Sequence, residues 1–236
     1  MLLKGFGMFS LKTIAGAAAG LVLATGVASA STLIDFTSAA TGTSGSVGGV
    51  NWTMSSNVGI VNNSQLFDGQ DSLASLAGTG LAFQRDGYGV RSTIDAQRND
   101  DEISSMRGGM EAITLTFSKA VKLTSVAFLD LFMPANSKIG EVGYARLSDG
   151  TVLSFAGSDI ANANGSRRAG YAGSAFAGLV TTSISFYIGL TNDAKGVADG
   201  ALASISVAPV PVPAAGLLLT AGLGGIAAVR RRRKTA

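Results

Sequence analysis

Five carboxylates, Asp95, Asp100, Asp101, Glu102 and Glu111, form the one local concentration of hard oxygen ligands in this chain. Calcium takes roughly six to eight oxygens and accepts irregular loops as a framework, so a structural Ca²⁺ site built on Asp100, Asp101, Glu102 and Glu111 is chemically available. The spacing is not that of an EF-hand. Arg91, Arg98 and Arg107 lie in the same stretch and can neutralise the same carboxylates as an ion-paired, solvated loop, so both readings stand. Histidine and cysteine are absent, which excludes histidine-dependent serine hydrolases, histidine-ligated zinc and cysteine nucleophiles. A glycosidase needs only two carboxylates flanking a sugar bond, but no motif places two acids together in a cleft. No catalytic residue and no obligatory cofactor are expected.

Aromatic side chains offer a second kind of chemistry. Trp52 is the only tryptophan; exposed, its indole would stack on a sugar, whereas in an alternating strand it would belong to the core. Tyr88, Tyr144 and Tyr171 complete the candidates for a sugar-binding platform.

The elements that must position these residues are short strands. Ile113, Leu115 and Phe117 alternate with polar residues, followed by Val121 and Leu123 and then Val126 and Phe128, and period-two spacing marks a strand with one buried face. A turn at Ser118-Lys119-Ala120 would make these an antiparallel pair. Similar runs span 32–36, 50–54, 80–83, 141–147, 151–155, 183–190 and 201–207. Asp149-Gly150 is a hairpin signal, because glycine takes the positive φ that primed turns require. Residues 86–109, rich in charge and glycine, and 162–178, rich in Ala, Gly and Ser, read as loops. Eight to ten short strands with no long amphipathic helix predict a mainly β fold, a single antiparallel β-sandwich of jelly-roll type.

Both chain ends read as export signals. Lys4 and Lys12 precede an apolar segment, 13–27, that ends in Ala28-Ser29-Ala30; this is the pattern of a signal peptide, residues 1–30, cleaved after Ala30. At the other end, Val210-Pro211-Val212-Pro213-Ala214 leads into an uncharged apolar run, 214–229, and then Arg230, Arg231, Arg232, Arg233 and Lys234. As a helix that run spans about 24 Å, slightly short of the roughly 30 Å hydrocarbon core, so it is a marginal transmembrane helix. Five cations hold its end in the cytoplasm and leave the preceding chain outside.

The order of proline motif, short apolar helix and arginine cluster resembles the VPLPA variant of the PEP-CTERM sorting signals of exported bacterial proteins, with Val212 in place of leucine. The resemblance implies recognition by an exosortase-type membrane protease that cuts near the prolines and discards the helix. It also implies association with exopolysaccharide or biofilm. From Gly87 and Gly89 through Asp101 and Glu102 to Glu111, the chain is similar, more loosely, to secreted β-sandwich domains that carry such tails. That second likeness implies a fold but no activity.

Removing both signals changes the charge. Of 18 cations, two lie in the leader and five in the tail, leaving 11 against all 15 carboxylates in the secreted domain, 31–209. A domain of net charge about −4 has no field to attract phosphate, so no nucleic-acid partner is expected. The sequence therefore points to an exported, non-catalytic surface or matrix protein. It would be held transiently at the inner membrane and then released to the cell surface or beyond. A carbohydrate-binding module, or less favourably a glycan hydrolase, is the alternative.

Overall fold

The computed structural model describes residues 30–92, 102–106, 109–133, 140–160, 169–189, 197–210 and 222–223. One compact unit runs from Ala30 to Val210. The second consists of Met1–Ser29 with Pro211–Ala236, of which only Gly222 and Leu223, helical and exposed, are described. Among the described residues no helix is long and apolar enough to cross a membrane.

The first half of the large unit contains β1 (Thr32–Asp35), β2 (Ser44–Val47), β3 (Val50–Ser56), β4 (Ile60–Asn62), β5 (Gly89–Arg91), β6 (Ser105–Met106) and β7 (Gly109–Met110). The second half contains β8 (Ala112–Leu129), β9 (Phe132–Met133), β10 (Val142–Leu147), β11 (Val152–Ala156), β12 (Asp159–Ile160), β13 (Ala172–Gly189), β14 (Val197–Ala198) and β15 (Ala201–Pro209). Eight of these strands build one antiparallel sheet in the order β1-β15-β8-β13-β10-β11, with the β2–β3 hairpin joined to β8 through β3. The remaining strands form small ladders, of which β9–β12 is parallel.

β8 and β13 position everything else. Ile113, Leu115, Phe117, Val121 and Leu123 of β8 point inward and are buried, while the residues between them face out or to the flank. Along one edge of β8, β3 pairs with residues 113–117 and β15 with residues 121–129, so two groups of strands share one long central strand. β13 follows the other edge from Ala112 to Thr116 and again from Val121 to Phe128, with register shifts between Ala175 and Leu179 and between Thr181 and Ser183. Extra residues at such points bend a strand and increase its twist.

Side chains from strands along the whole sheet share one apolar core. The Phe128 ring from the end of β8 lies 5.6 Å from Phe155 of β11 and 6.1 Å from Phe186 of β13. Phe36, just beyond β1, meets the edge of Trp52 on β3 at 6.0 Å. Gly143 is needed at one close approach, since a Cβ there would stand 2.9 Å from the Phe128 ring. A smaller apolar cluster covers the opposite face of the end of β8, where Ala127 and Leu129 pack with Phe67, Leu76 and Ala203. The short 3-10 helix Gln70–Leu76 contributes Leu76 to that cover.

Three sequence expectations are corrected. Ser118-Lys119-Ala120 is no turn: Ala112–Leu129 is one strand of 18 residues, and this segment is an irregularity within it, where the β13 ladder steps from Thr116 to Val121. Residues 172–178, expected in a loop, begin β13, because the ladder to β8 compensates for their poor apolar alternation. Residues 80–83 are not a strand; Leu81 and Phe83 instead pack on the smaller cluster, with Phe83 at φ 48°. The Asp149-Gly150 hairpin joins β10 to β11 as expected, with Gly150 at φ 89°.

Candidate functional site: a gathered set of acids

The sheet collects carboxylates that are distant in sequence. Asp130 follows the last residue of β8 in the left-handed region, φ 60°. Its N–H donates to the Ala169 carbonyl at 3.1 Å, and the next N–H, of Leu131, donates to the Gly170 carbonyl at 3.1 Å. Around it stand Asp68 and Asp86 from the loop before β5, Glu141 from the start of β10, and Asp199 from the start of β15.

Hydrogen bonds fix the members. The Asp86 carboxylate accepts from the Asp68 N–H at 3.3 Å. Glu141 Oε2 accepts from the Phe132 N–H at 2.8 Å, and its Oε1 from the Asp199 N–H at 3.4 Å. The Glu141 side chain is also hydrogen-bonded to the Asp199 side chain. Two carboxyl groups can hydrogen-bond only if one carries the proton.

Burial is the largest influence on both titrating groups. It pushes Glu141 up to about 8, aided by the negative charge of Asp199 and opposed by the two backbone N–H donors. Burial, with the charges of Asp86, Asp68, Asp199 and Glu141 added, holds Asp130 well above the usual carboxylate range. Some of the Asp130 surface still meets solvent, but its carboxyl is crowded by protein and by like charge. Burial and like charge thus favour the protonated forms of Glu141 and Asp130, the direction that a general acid requires.

A general acid also needs a substrate cleft. An open groove of about 430 Å³ between β1 and β2, and a depression of about 310 Å³ beside β11 and β13, are both lined by other residues. Asp35, which does line the first, is occupied: it accepts from the Thr37 N–H and hydroxyl and from the Ala82 N–H. Among the described residues no group of three or more acids is placed so that it could hold a metal ion.

Of the expected calcium ligands, Asp95, Asp100 and Asp101 lie outside the described residues. Glu111 is buried against the chain, its Oε2 accepting from the Ser104 N–H at 2.8 Å, while the Glu102 carbonyl accepts from Val90 N–H. The sorting residues Pro211–Ala214 and Arg230–Lys234, and Ala28, also lie outside; Ala30 and Val210 are described and exposed.

The four aromatic candidates do not assemble into a platform, and Trp52 takes the core position of an alternating strand. Trp52 and Tyr88 are each only 5% exposed, and the Tyr88 hydroxyl donates to the Thr41 carbonyl at 2.8 Å. Tyr171 is half-buried beside the smaller apolar cluster. Tyr144 alone takes part in an outward pair, stacked on Tyr187 with centroids 5.1 Å apart and ring planes 13° from parallel. Sequence reasoning missed Tyr187 and the acid group around Asp130. The β10–β13 register, which places Tyr144 opposite Tyr187, is the signal that reveals the first.

No family model matches this chain, and neither does any curated protein or solved structure.

Proposed function

We propose that the chain is an exported, non-catalytic protein of the cell surface or extracellular matrix. On this reading residues 1–30 direct export, and the bent sheet is a β-sandwich of jelly-roll type. Val210–Ala214 with the basic residues Arg230–Lys234 form a sorting signal for an exosortase-type protease. The observation that carries the proposal is the extent of the compact unit, Ala30 to Val210, which ends beside the two segments that read as export signals. Neither the groove between β1 and β2 nor the depression beside β11 and β13 gathers two titrating side chains, which favours a structural role over turnover. The outward Tyr144–Tyr187 stack favours a second reading, a carbohydrate-binding module at the same cell surface.

Surface labelling tests the location. Intact cells of the producing organism are treated with a membrane-impermeant amine reagent, for which Lys119 and Lys122 are exposed targets. The proposal expects the protein to be labelled while a cytoplasmic marker is not. Labelling only after lysis overturns it.

A further inference from the structure

The outward face of the β3-β8-β13-β10-β11 part of the sheet differs from the rest of the domain. Register places Ser55, Thr114, Ser185 and Arg146 in one row across four strands. The next row is Ala112, Tyr187, Tyr144 and Ser154, and on the other side lies Thr53, Thr116 and Ser183. Along each row neighbouring strands are about 4.8 Å apart, so hydroxyl groups recur from strand to strand on this face. Thr53, Ser55, Thr116, Arg146 and Ser154 are exposed, and the remaining hydroxyl residues are half-buried.

Charge distinguishes this face. The chain holds 15 carboxylates, all within the net acidic unit, yet no outward position of β3, β8, β10, β11 or β13 in these rows is Asp or Glu. The single charge is Arg146, which among the described residues has no carboxylate partner. Beside it the Tyr144 ring leans across Gly189, where a Cβ would stand 2.5 Å from the ring. Tyr187 stacks on it, and both rings stay half-exposed.

We propose that this face binds an extended acidic polysaccharide. The tyrosine pair supplies a rigid amphipathic surface for the apolar faces of sugar rings. The hydroxyl rows exchange hydrogen bonds with sugar hydroxyls, and the Arg146 guanidinium takes a carboxylate of the glycan in bidentate fashion. A partner rich in positive charge would face Arg146 with no compensating acid. This inference rests on the surface reading above and gives that reading a ligand class.

Affinity electrophoresis of the mature protein through gels containing a soluble polyuronate, with dextran gels for comparison, tests it. The wild type is retarded by the polyuronate and more weakly by dextran. Y144S and Y187S weaken retention in both by tenfold or more, R146Q removes the preference for the polyuronate, and K122Q, on the other part of the sheet, binds as wild type. R146Q changes an exposed side chain, so it keeps the test alive if a tyrosine variant misfolds. Absence of polyuronate retardation, equal retention of wild type and R146Q, or loss in K122Q equal to that in R146Q overturns the inference. Location is followed in the same cultures: a surface-labelled protein that ignores both polymers sinks the glycan face alone, whereas a cytoplasmic one sinks the surface reading.

Discussion

The burial of Glu141 makes the stability of this domain depend on pH in an unusual direction. Glu141 titrates near 8 in the folded chain against 4.5 when free, so between those values the folded state holds more protons than the unfolded one. Stability is then fully present below about pH 4.5 and falls as pH rises toward 8. An isolated carboxyl displaced that far would cost about 5 kcal/mol, at roughly 1.4 kcal/mol for each tenfold change. Solvent still reaches part of Glu141, and the proton belongs to the pair, so screening and sharing reduce the effect to about 2 kcal/mol. For a domain of this size that lowers Tm by about 4–8 °C from pH 5 to pH 8.5. Glu141→Gln separates this from other titrations. The amide cannot accept both the Phe132 and Asp199 N–H bonds, so the variant is about 1 kcal/mol less stable at pH 5. It also cannot ionise, so it matches or exceeds the wild type at pH 8.5. Thermal unfolding followed by circular dichroism at four or five pH values would show the two curves crossing. A wild-type Tm that is flat or rises over that range, or parallel curves, would refute the reasoning.

Other substitutions test the packing. Phe128→Ala removes a fully buried ring that holds Phe155 and Phe186 together, and equilibrium denaturation should show a loss of about 3–5 kcal/mol. Gly87→Ala places a Cβ 2.6 Å from the Leu202 carbonyl oxygen at φ 117° and should cost at least about 3 kcal/mol. Gly49→Ala, at φ 76° with open space around it, should cost only about 1 kcal/mol in the same assay. Trp52 emission should be blue-shifted in the native protein and resist iodide quenching until unfolding, because the indole is buried against Phe36.

The mainly β class was legible because inward residues alternate plainly in β8 and β10 and because Asp149-Gly150 marks its own hairpin. What period-two reading could not see is where a strand continues through polar residues. Ser118-Lys119-Ala120 looks like a turn locally, yet the β13 ladder that stops at Thr116 resumes at Val121, so the strand carries on past it. The start of β13 has alanine and glycine where apolar side chains would have announced it, and its register shifts scramble the alternation. The acids were illegible for a different reason. Asp68, Asp86, Asp130, Glu141 and Asp199 come from separate loops, whereas the dense local run that drew attention contributes Glu111 as an internal hydrogen-bond acceptor. Tyr187 gains its meaning from a partner on another strand, which only register reveals.

The central claim, export followed by removal of both flanking signals, is tested most directly by the intact mass of the protein recovered separately from membrane and medium fractions of its host. The account predicts a species beginning at Ser31 and lacking everything after the proline motif. A membrane-bound species that retains Arg230–Lys234, or one that still carries residues 1–30, would contradict it.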